Sequence, residues 1–301
     1  MGLPNFLVVG AAKSGTTAFC TFLGQHPEVF IPVIKEPKFF TSQFMDDPLT
    51  GRGDRLIQEV QVRAFSAYRG LFRKAEGLKA VGEASADMLY FYRRTIPLIK
   101  EYLGDVRILI LLRNPVERAF SAYKQLVRDG REWLSFREAL MREEDRRREN
   151  YEYMWHYTRV GFYHKQVKAY LDNFRRGKVI LFDDLVRDPR GCLEETFRFL
   201  GVDPTVSLEI DRRINVSRVP DGGIMRSVFR LGPVKVWLYR MLVTSGIGDR
   251  RIFRWVDRFR GYRIRKLRMK AETRSRLQAL YRKDIVNLEG LLGRDLSGWL
   301  E

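Results

Sequence analysis

The chain has 301 residues, of which 55 are Lys or Arg and 37 are Asp or Glu, so its formal net charge is +18. A hydrophobic fraction of 45% and a charged fraction of 31% allow a sizeable core and exclude disorder as the default state. Two cysteines are too few for a disulfide framework, and three isolated histidines leave little material for a zinc site, so we expect no metal ion.

Short β-type runs alternate with longer helical patterns, which predicts a parallel sheet with crossover helices. The predicted strands, in chain order, are Phe6–Val9, Val29–Ile31, Lys79–Gly82, Arg107–Leu112 and Lys178–Phe182. The predicted helices are Thr16–Leu23, Pro115–Arg128, Phe136–Asn150, Tyr163–Asn173 and Gly191–Leu200, followed by a long loop over Asp203–Gly223. The expected fold class is therefore α/β, with helices flanking a parallel sheet.

Neither a membrane span nor a secretory signal is expected from the sequence. No apolar run approaches the roughly 18 residues that a transmembrane helix needs. The apolar start at Phe6–Gly10 lacks a basic flank and runs directly into a polar, glycine-containing loop, which is not typical of a signal peptide. We therefore expect a cytoplasmic protein.

The positive charge is concentrated near the end of the sequence. Residues 218–301 hold 20 Lys and Arg against 8 Asp and Glu, a net charge of +12. We expect two parts, an α/β core over 1–217 and a basic helical lobe over 218–301, packed on the core or appended to it. The segment Arg250–Lys270 has apolar residues at helical spacing with arginines between them. This pattern favours a helix docked on the core, or one in peripheral contact with an anionic membrane.

The segment from Phe6 to Ala18 reads as a strand, a Gly/Ser-rich turn and a helix start. Such a turn aims backbone N–H groups and the positive helix end at one point, which is an anion site. Lys13 adds a mobile cation, and hydroxyl donors follow at Ser14, Thr16 and Thr17. Gly10 and Gly15 have the spacing of a nucleotide-triphosphatase loop, so we expect a P-loop-like parallel sheet. However, Thr16 stands where that loop has its lysine, which disfavours a kinase. From these residues alone, a plain strand-to-helix turn stays open.

These residues resemble a known family. Lys13-Ser-Gly-Thr-Thr after an apolar strand resembles the 5′-phosphosulfate loop of sulfotransferases that use 3′-phosphoadenosine 5′-phosphosulfate. His26-Pro-Glu-Val and Lys35-Glu-Pro-Lys-Phe-Phe resemble the branch that contains heparan-sulfate sulfotransferases and bacterial relatives. The segment 107–123 is similar to the family's 3′-phosphate motif, and the resemblance covers roughly residues 5–220. It implies transfer of a sulfuryl group to an acceptor hydroxyl, first of all on a saccharide or glycan, with a lipid or secondary metabolite as the alternative.

The resemblance also assigns residues to the cofactor. It implies that the 5′-phosphosulfate contacts Lys13, Ser14, Gly15, Thr16, Thr17 and Ala18. Arg113 at a strand end and Ser121 in the next helix are implied to hold the 3′-phosphate. A guanidinium fork suits a phosphate chemically, although these two alone could equally be a surface ion-pair residue and an ordinary helix serine. Asn215 and Arg218 match the late loop that covers the cofactor in relatives, while Asp221 stands where relatives often have arginine.

Glu36 is the candidate general base, with Lys13 as the second catalytic residue. From the residues alone, Glu36 could be a solvated loop charge, and it is the Lys-Glu-Pro motif of the glycan-directed branch that assigns the role. None of the three histidines stands in the context of the histidine base of other branches. In Gly82-Glu-Ala-Ser, Ala84 stands where the glycan enzymes tend to have a lysine. The resemblance therefore does not supply a lysine that contacts the substrate, and this counts against a heparan-like acceptor.

Two other classes of function stay open at this point, a P-loop kinase and a non-catalytic basic adaptor for polyanions or a membrane. We find no RNA- or DNA-binding motif and expect no nucleic-acid partner. Ligand preference separates the classes, because the sulfotransferase should prefer a 3′-phosphorylated nucleotide, the kinase ATP, and the adaptor neither.

Overall fold

The centre of the structure, a computed structural model that describes residues 2–34, 36–210 and 267–301, is a five-stranded parallel sheet. The strand order is β2-β3-β1-β4-β5. The strands are β1 (Phe6–Gly10), β2 (Val29–Phe30), β3 (Ala80–Ala84), β4 (Arg107–Leu112) and β5 (Gly177–Leu181). All four neighbouring pairs are parallel. The predicted α/β class with a parallel sheet is confirmed.

Strand β1 lies in the middle of the sheet, with Phe6 opposite Gly82 on β3 and Arg107 on β4. Gly82 is required at this position because a Cβ there would lie 2.0 Å from the ring of Phe6. All five residues of β1 are buried, as expected of a central parallel strand that is covered on both faces.

Twelve α-helices are defined within the described residues. They are α1 (Thr16–Leu23), α2 (Phe39–Ser42), α3 (Asp54–Glu59), α4 (Phe65–Gly70), α5 (Tyr92–Leu103), α6 (Pro115–Arg128), α7 (Phe136–Met141), α8 (Glu143–Arg148), α9 (Tyr163–Asn173), α10 (Phe182–Arg187), α11 (Pro189–Leu200) and α12 (Ala271–Leu292). The predicted bounds of α1, α6 and α9 match those of the structure.

The single helix predicted over Phe136–Asn150 is wrong, because the chain forms two short helices that meet at Arg142. The helix is divided by contacts with a segment that is distant in the sequence. Glu143 is 4% exposed and its carboxylate accepts the backbone N–H groups of Thr158 and Arg159 at 2.8 and 3.0 Å. These distant contacts set the direction of α8.

Two apolar layers cover the sheet. Leu7 and Val9 point into one layer, and Phe6 and Val8 point into the other, because successive strand residues face opposite sides. The first layer includes residues of α5, α6, α9 and α12, and the second includes residues of α1 and α11. The sheet is therefore buried on both faces.

Helix α12 belongs to the core that surrounds the sheet. Its apolar residues Leu277, Tyr281 and Ile285 are buried in the same cluster as Leu7. Asp284 of α12 accepts the backbone N–H groups at the start of α9, with the closer contact at 2.7 Å. The predicted boundary at 217/218 and most of the segment Arg250–Lys270 lie outside the described residues, so the division into two parts stays a prediction. Among the described helices, none has the length and apolar character needed to span a bilayer.

Candidate active site

The loop between β1 and α1 has the geometry of an anion cradle. Lys13 and Gly15 both adopt left-handed backbone conformations, with φ of 71° and 88°. A Cβ at Gly15 would lie 2.8 Å from the ring of Phe182, so the position requires glycine. Gly15 is the N-cap of α1, and no side chain caps the helix. The N–H groups of the first turn, which contains Thr16, are left to bind an anion from the loop side.

Ser14 lies at the bottom of this loop. Its side chain is fully buried, and no described residue forms a hydrogen bond of normal geometry with its Oγ, although the Tyr163 hydroxyl lies close enough to interact with it. The neighbouring hydroxyl of Tyr163 donates to the carbonyl oxygen of Arg113 at 3.0 Å. A buried hydroxyl without a partner costs free energy in the protein alone, and a phosphate or sulfate oxygen in the loop would satisfy it.

Arg113 follows directly after β4, the strand next to β1, so it reaches the same edge of the sheet as the loop. One guanidinium nitrogen faces the carbonyl oxygen of Lys13 at 3.5 Å, and the group lies over the ring of Phe182 at 4.8 Å. Burial lowers the pKa of Arg113. Ser121, 2% exposed, lies on the buried side of α6.

Helix α6 also contacts the loop, through Gln125, and it places Lys124 next to that residue; the sequence motifs include neither. Lys13 Nζ donates to Gln125 Oε1 at 2.7 Å. The neighbouring Lys124 is half-buried, and its Nζ lies 5.1 Å from the centre of the Phe120 ring. Both residues follow Ser121 by about one helical turn, which puts them on the same face of α6. This spacing is the feature of the sequence from which they could have been added to the candidate site.

The segment that carries Glu36 is held against the end of β3. Glu36 N–H donates to the carbonyl oxygen of Ala84 at 3.0 Å, and Lys38 N–H donates to Ser85 Oγ at 3.1 Å. Glu36 and Lys38 both have left-handed backbones, with φ of 57° and 55°. Since β3 and β4 flank β1, the structure brings the candidate base, the loop and Arg113 to one edge of the sheet.

Lys38 points away from solvent into a cluster of acids. Its Nζ donates to Glu152 Oε1 at 3.2 Å and lies 4.0 Å from Asp87 Oδ2. Burial acts to lower the pKa of Lys38, but Glu152 and Asp87 outweigh that effect and raise it. Glu152 in turn binds Arg131 at 2.9 Å. Nothing in the sequence pointed to this partner of Lys38, which lies 114 residues away.

Two buried carboxyl groups lie under the candidate base, close enough to interact electrostatically with Glu36. Burial raises the pKa of Glu83 to about 7, although Ser85 and Tyr68 donate hydrogen bonds to it. Burial likewise raises the pKa of Asp87 to about 6. Glu83 and Asp87 therefore titrate near neutral pH.

Two predicted site residues, Asn215 and Arg218, lie outside the described part of the chain. Across residues 2–34, 36–210 and 267–301, no group of three or more His, Cys, Asp or Glu is arranged to hold a metal ion.

Comparison with known proteins identifies the class. The profile of the Sulfotransferase family matches residues 4–205. The chain belongs to this family and is an enzyme, as the sequence motifs predicted, and the kinase and adaptor alternatives find no support in the matches. It is 36% identical to a sulfotransferase from Alicyclobacillus acidocaldarius of known crystal structure, with a TM-score of 0.78 and full coverage of both chains.

Two of the curated relatives are from mammals. Heparan sulfate glucosamine 3-O-sulfotransferase 3A1 of Mus musculus is 28% identical over 204 residues, which cover 66% of this chain and 46% of that protein. Heparan sulfate glucosamine 3-O-sulfotransferase 6 of Homo sapiens is 28% identical over 207 residues, with coverage of 68% and 54%. The chain thus spans about half the length of the curated relatives it matches.

Proposed function

We propose that this sulfotransferase takes its sulfuryl group from 3′-phosphoadenosine 5′-phosphosulfate and transfers it to a hydroxyl group of a saccharide. The observation that carries the donor assignment is the buried, unpartnered Oγ of Ser14 in a cradle bordered by Lys13 and Arg113. The relatives named for heparan sulfate glucosamine support a saccharide acceptor.

The residues present fit such a donor. The loop Lys13–Ala18 would hold the 5′-phosphosulfate through N–H groups, hydroxyls and one ammonium. Arg113 and Ser121 would hold the 3′-phosphate, and Asn215 with Arg218 would cover the nucleotide. When bound, the donor supplies a sulfuryl group activated by its phosphate leaving group. No metal ion is needed for this role of the chain.

The proposed roles of Glu36 and Lys13 agree with where the structure holds them. Glu36, held at the end of β3, would take the proton of the acceptor hydroxyl as the acceptor oxygen attacks sulfur. Lys13 and the N–H groups of α1 would stabilise the charge that develops on the phosphate oxygen as the sulfur–oxygen bond breaks. To do so, Lys13 Nζ would exchange its hydrogen bond with Gln125 for one with the donor.

The donor assignment predicts which nucleotide stabilises the fold. Adenosine 3′,5′-bisphosphate should raise the melting temperature more than 5′-AMP or ATP, because only it presents a 3′-phosphate to Arg113 and Ser121. At a ligand concentration of one hundred times Kd, the gain is about 2.7 kcal/mol. Thermal denaturation with each ligand at equal concentration measures it. Equal shifts for all three nucleotides would contradict the assignment.

The role of Glu36 predicts a loss of turnover without a loss of donor binding. Glu36→Gln should lower kcat by roughly 10²- to 10⁴-fold, the range of general-base catalysis, while Kd for adenosine 3′,5′-bisphosphate stays nearly unchanged. Lys13→Ala should lower kcat and should also weaken the binding of adenosine 3′,5′-bisphosphate. Glu59→Gln, an exposed carboxylate on α3, is the matched control. A normal kcat in Glu36→Gln would mean that another group is the base.

The acceptor is identified by transfer of labelled sulfate. We expect label on saccharides in a screen that also includes lipids and small alcohols. Transfer to a lipid or secondary-metabolite hydroxyl alone would replace the saccharide assignment, and it would agree with Ala84 standing where the glycan enzymes tend to have lysine.

A further inference from the structure

Lys124 lies at the edge of the candidate donor site without a structural role that accounts for it. It is on α6 three residues after Ser121, so the two residues lie on neighbouring positions of one helix face. The next residue, Gln125, binds Lys13 Nζ at 2.7 Å and thereby fixes this turn of α6 against the phosphate loop. The lysine is thus held beside the loop by the helix that carries it.

The charges around Lys124 are not balanced. Neither Lys124 nor Arg113 forms a salt bridge with a carboxylate of the described residues, and the side chains are close enough for their like charges to interact. Glu117 attracts both side chains but is itself paired with Arg274 from α12, and Asp183 also attracts Arg113. Burial, and then Arg113, lower the pKa of Lys124. Two partly desolvated cations thus lie near each other, and neither has a salt bridge of its own within the described residues.

A lysine in this position needs an anion. The Phe120 ring, whose centre lies 5.1 Å from its Nζ, offers only a weak cation–π interaction and no negative charge. A phosphate group carries close to two negative charges and three acceptor oxygens. It can bind the fork of Arg113 with two oxygens and leave the third to an ammonium.

We propose that Lys124 is a specificity-determining residue that binds the 3′-phosphate of the donor together with Arg113 and Ser121. This inference rests on the proposed function. It adds a residue of this chain that the 3′-phosphate motif Arg113–Ser121 does not include. Lys124 lies beyond Ser121 along α6, so it closes the phosphate from the side opposite to Arg113, and the enzyme thereby rejects nucleotides that lack this group.

The test compares two nucleotides that differ by one phosphate. Isothermal titration calorimetry gives Kd for adenosine 3′,5′-bisphosphate and for 5′-AMP with the wild type and with Lys124→Gln. A charged hydrogen bond contributes about 1.5–3 kcal/mol, so the variant should bind the bisphosphate roughly 10- to 100-fold more weakly. Its Kd for 5′-AMP should change less than about threefold. Lys124→Arg keeps the charge and should retain most of the discrimination.

The matched control is Arg128→Gln, which removes the same charge one turn further along α6 from a side chain paired with Asp129 at 3.1 Å. It should leave both Kd values nearly unchanged. An equal loss for both nucleotides in Lys124→Gln, no loss for either, or the same loss in Arg128→Gln would overturn the assignment of Lys124. A wild-type enzyme that binds both nucleotides equally would instead overturn the proposed donor itself, so the two failures are distinguishable.

Discussion

Glu83 is a carboxyl group whose surroundings work against its ionised form. It lies at the end of β3 with 1% exposure, and its two hydrogen-bond donors, Tyr68 and Ser85, do not offset the loss of water. Burial therefore raises its pKa to about 7. A folded-state pKa above the value of an unfolded chain means that the native state binds a proton that the unfolded state releases.

This shift predicts a pH-dependent effect of Glu83→Gln on stability. As pH rises from about 4.5 to about 7, the wild type loses stability relative to the variant, because ionised Glu83 is accommodated less well in the fold than in the unfolded chain. The melting temperature of Glu83→Gln minus that of the wild type should therefore rise between pH 5 and pH 7 and level off near pH 8. Thermal denaturation across this range measures it.

The control for Glu83 is Glu59→Gln, whose difference from the wild type should not change in this way, because Glu59 is exposed on α3. A difference for Glu83→Gln that stays constant from pH 5 to pH 8 would show that Glu83 keeps its charge throughout.

At single positions, the sequence could predict contacts that follow from strand order. Lys13 lies in the loop after β1, and Arg113 directly follows β4, the neighbouring parallel strand, so they meet at one edge of the sheet although 100 residues separate them. The burial of Lys38 was not predictable, because its partner Glu152 comes from a different segment. Left-handed backbones at Glu36 and Lys38 also carry no sequence signal, since neither residue is Gly or Asn.

At the scale of elements, periodic patterns predicted best where an element packs on the sheet. Helices α1, α6 and α9 each bury an apolar face, and their bounds follow from that face and from caps such as Asn114, which accepts the N–H of Val116 at 2.9 Å. Helix α5 was not predicted because Pro97 interrupts its pattern. The structure nevertheless keeps α5, since Ile96 and Ile99 are buried on one side of it.

Helix α12 shows that the end of the chain supports the site. Tyr281 donates to the carbonyl oxygen of Thr158 at 2.9 Å, and Asn114 donates to that of Trp299 at 3.2 Å. Trp299 also donates to Asp183 at 3.0 Å, next to the Phe182 ring that lies under Arg113. A helical pattern in a basic segment predicts the helix but not its docking partners, which are distant in sequence.

For the whole molecule, the unusual quantity is charge. The formal net charge is +18, and residues 218–301 contribute +12 of it. A nucleotide donor needs only the few cations described at the phosphate loop. The remainder would create a positive field able to attract anionic surfaces or acidic acceptors.

The field and the arginine-rich pattern of Arg250–Lys270 predict reversible binding to anionic membranes. The protein should sediment with vesicles that contain phosphatidylserine and remain in solution with vesicles of phosphatidylcholine alone. Raising the salt to 1 M shortens the screening length to about 3 Å, so the attraction should largely vanish. Binding to neutral vesicles, or binding that persists in high salt, would point to apolar insertion instead. No binding at low salt would contradict the membrane prediction. The positive charge would then be expected to attract an acidic soluble acceptor. Comparing sulfate transfer to acidic and to neutral saccharides of equal length would test this.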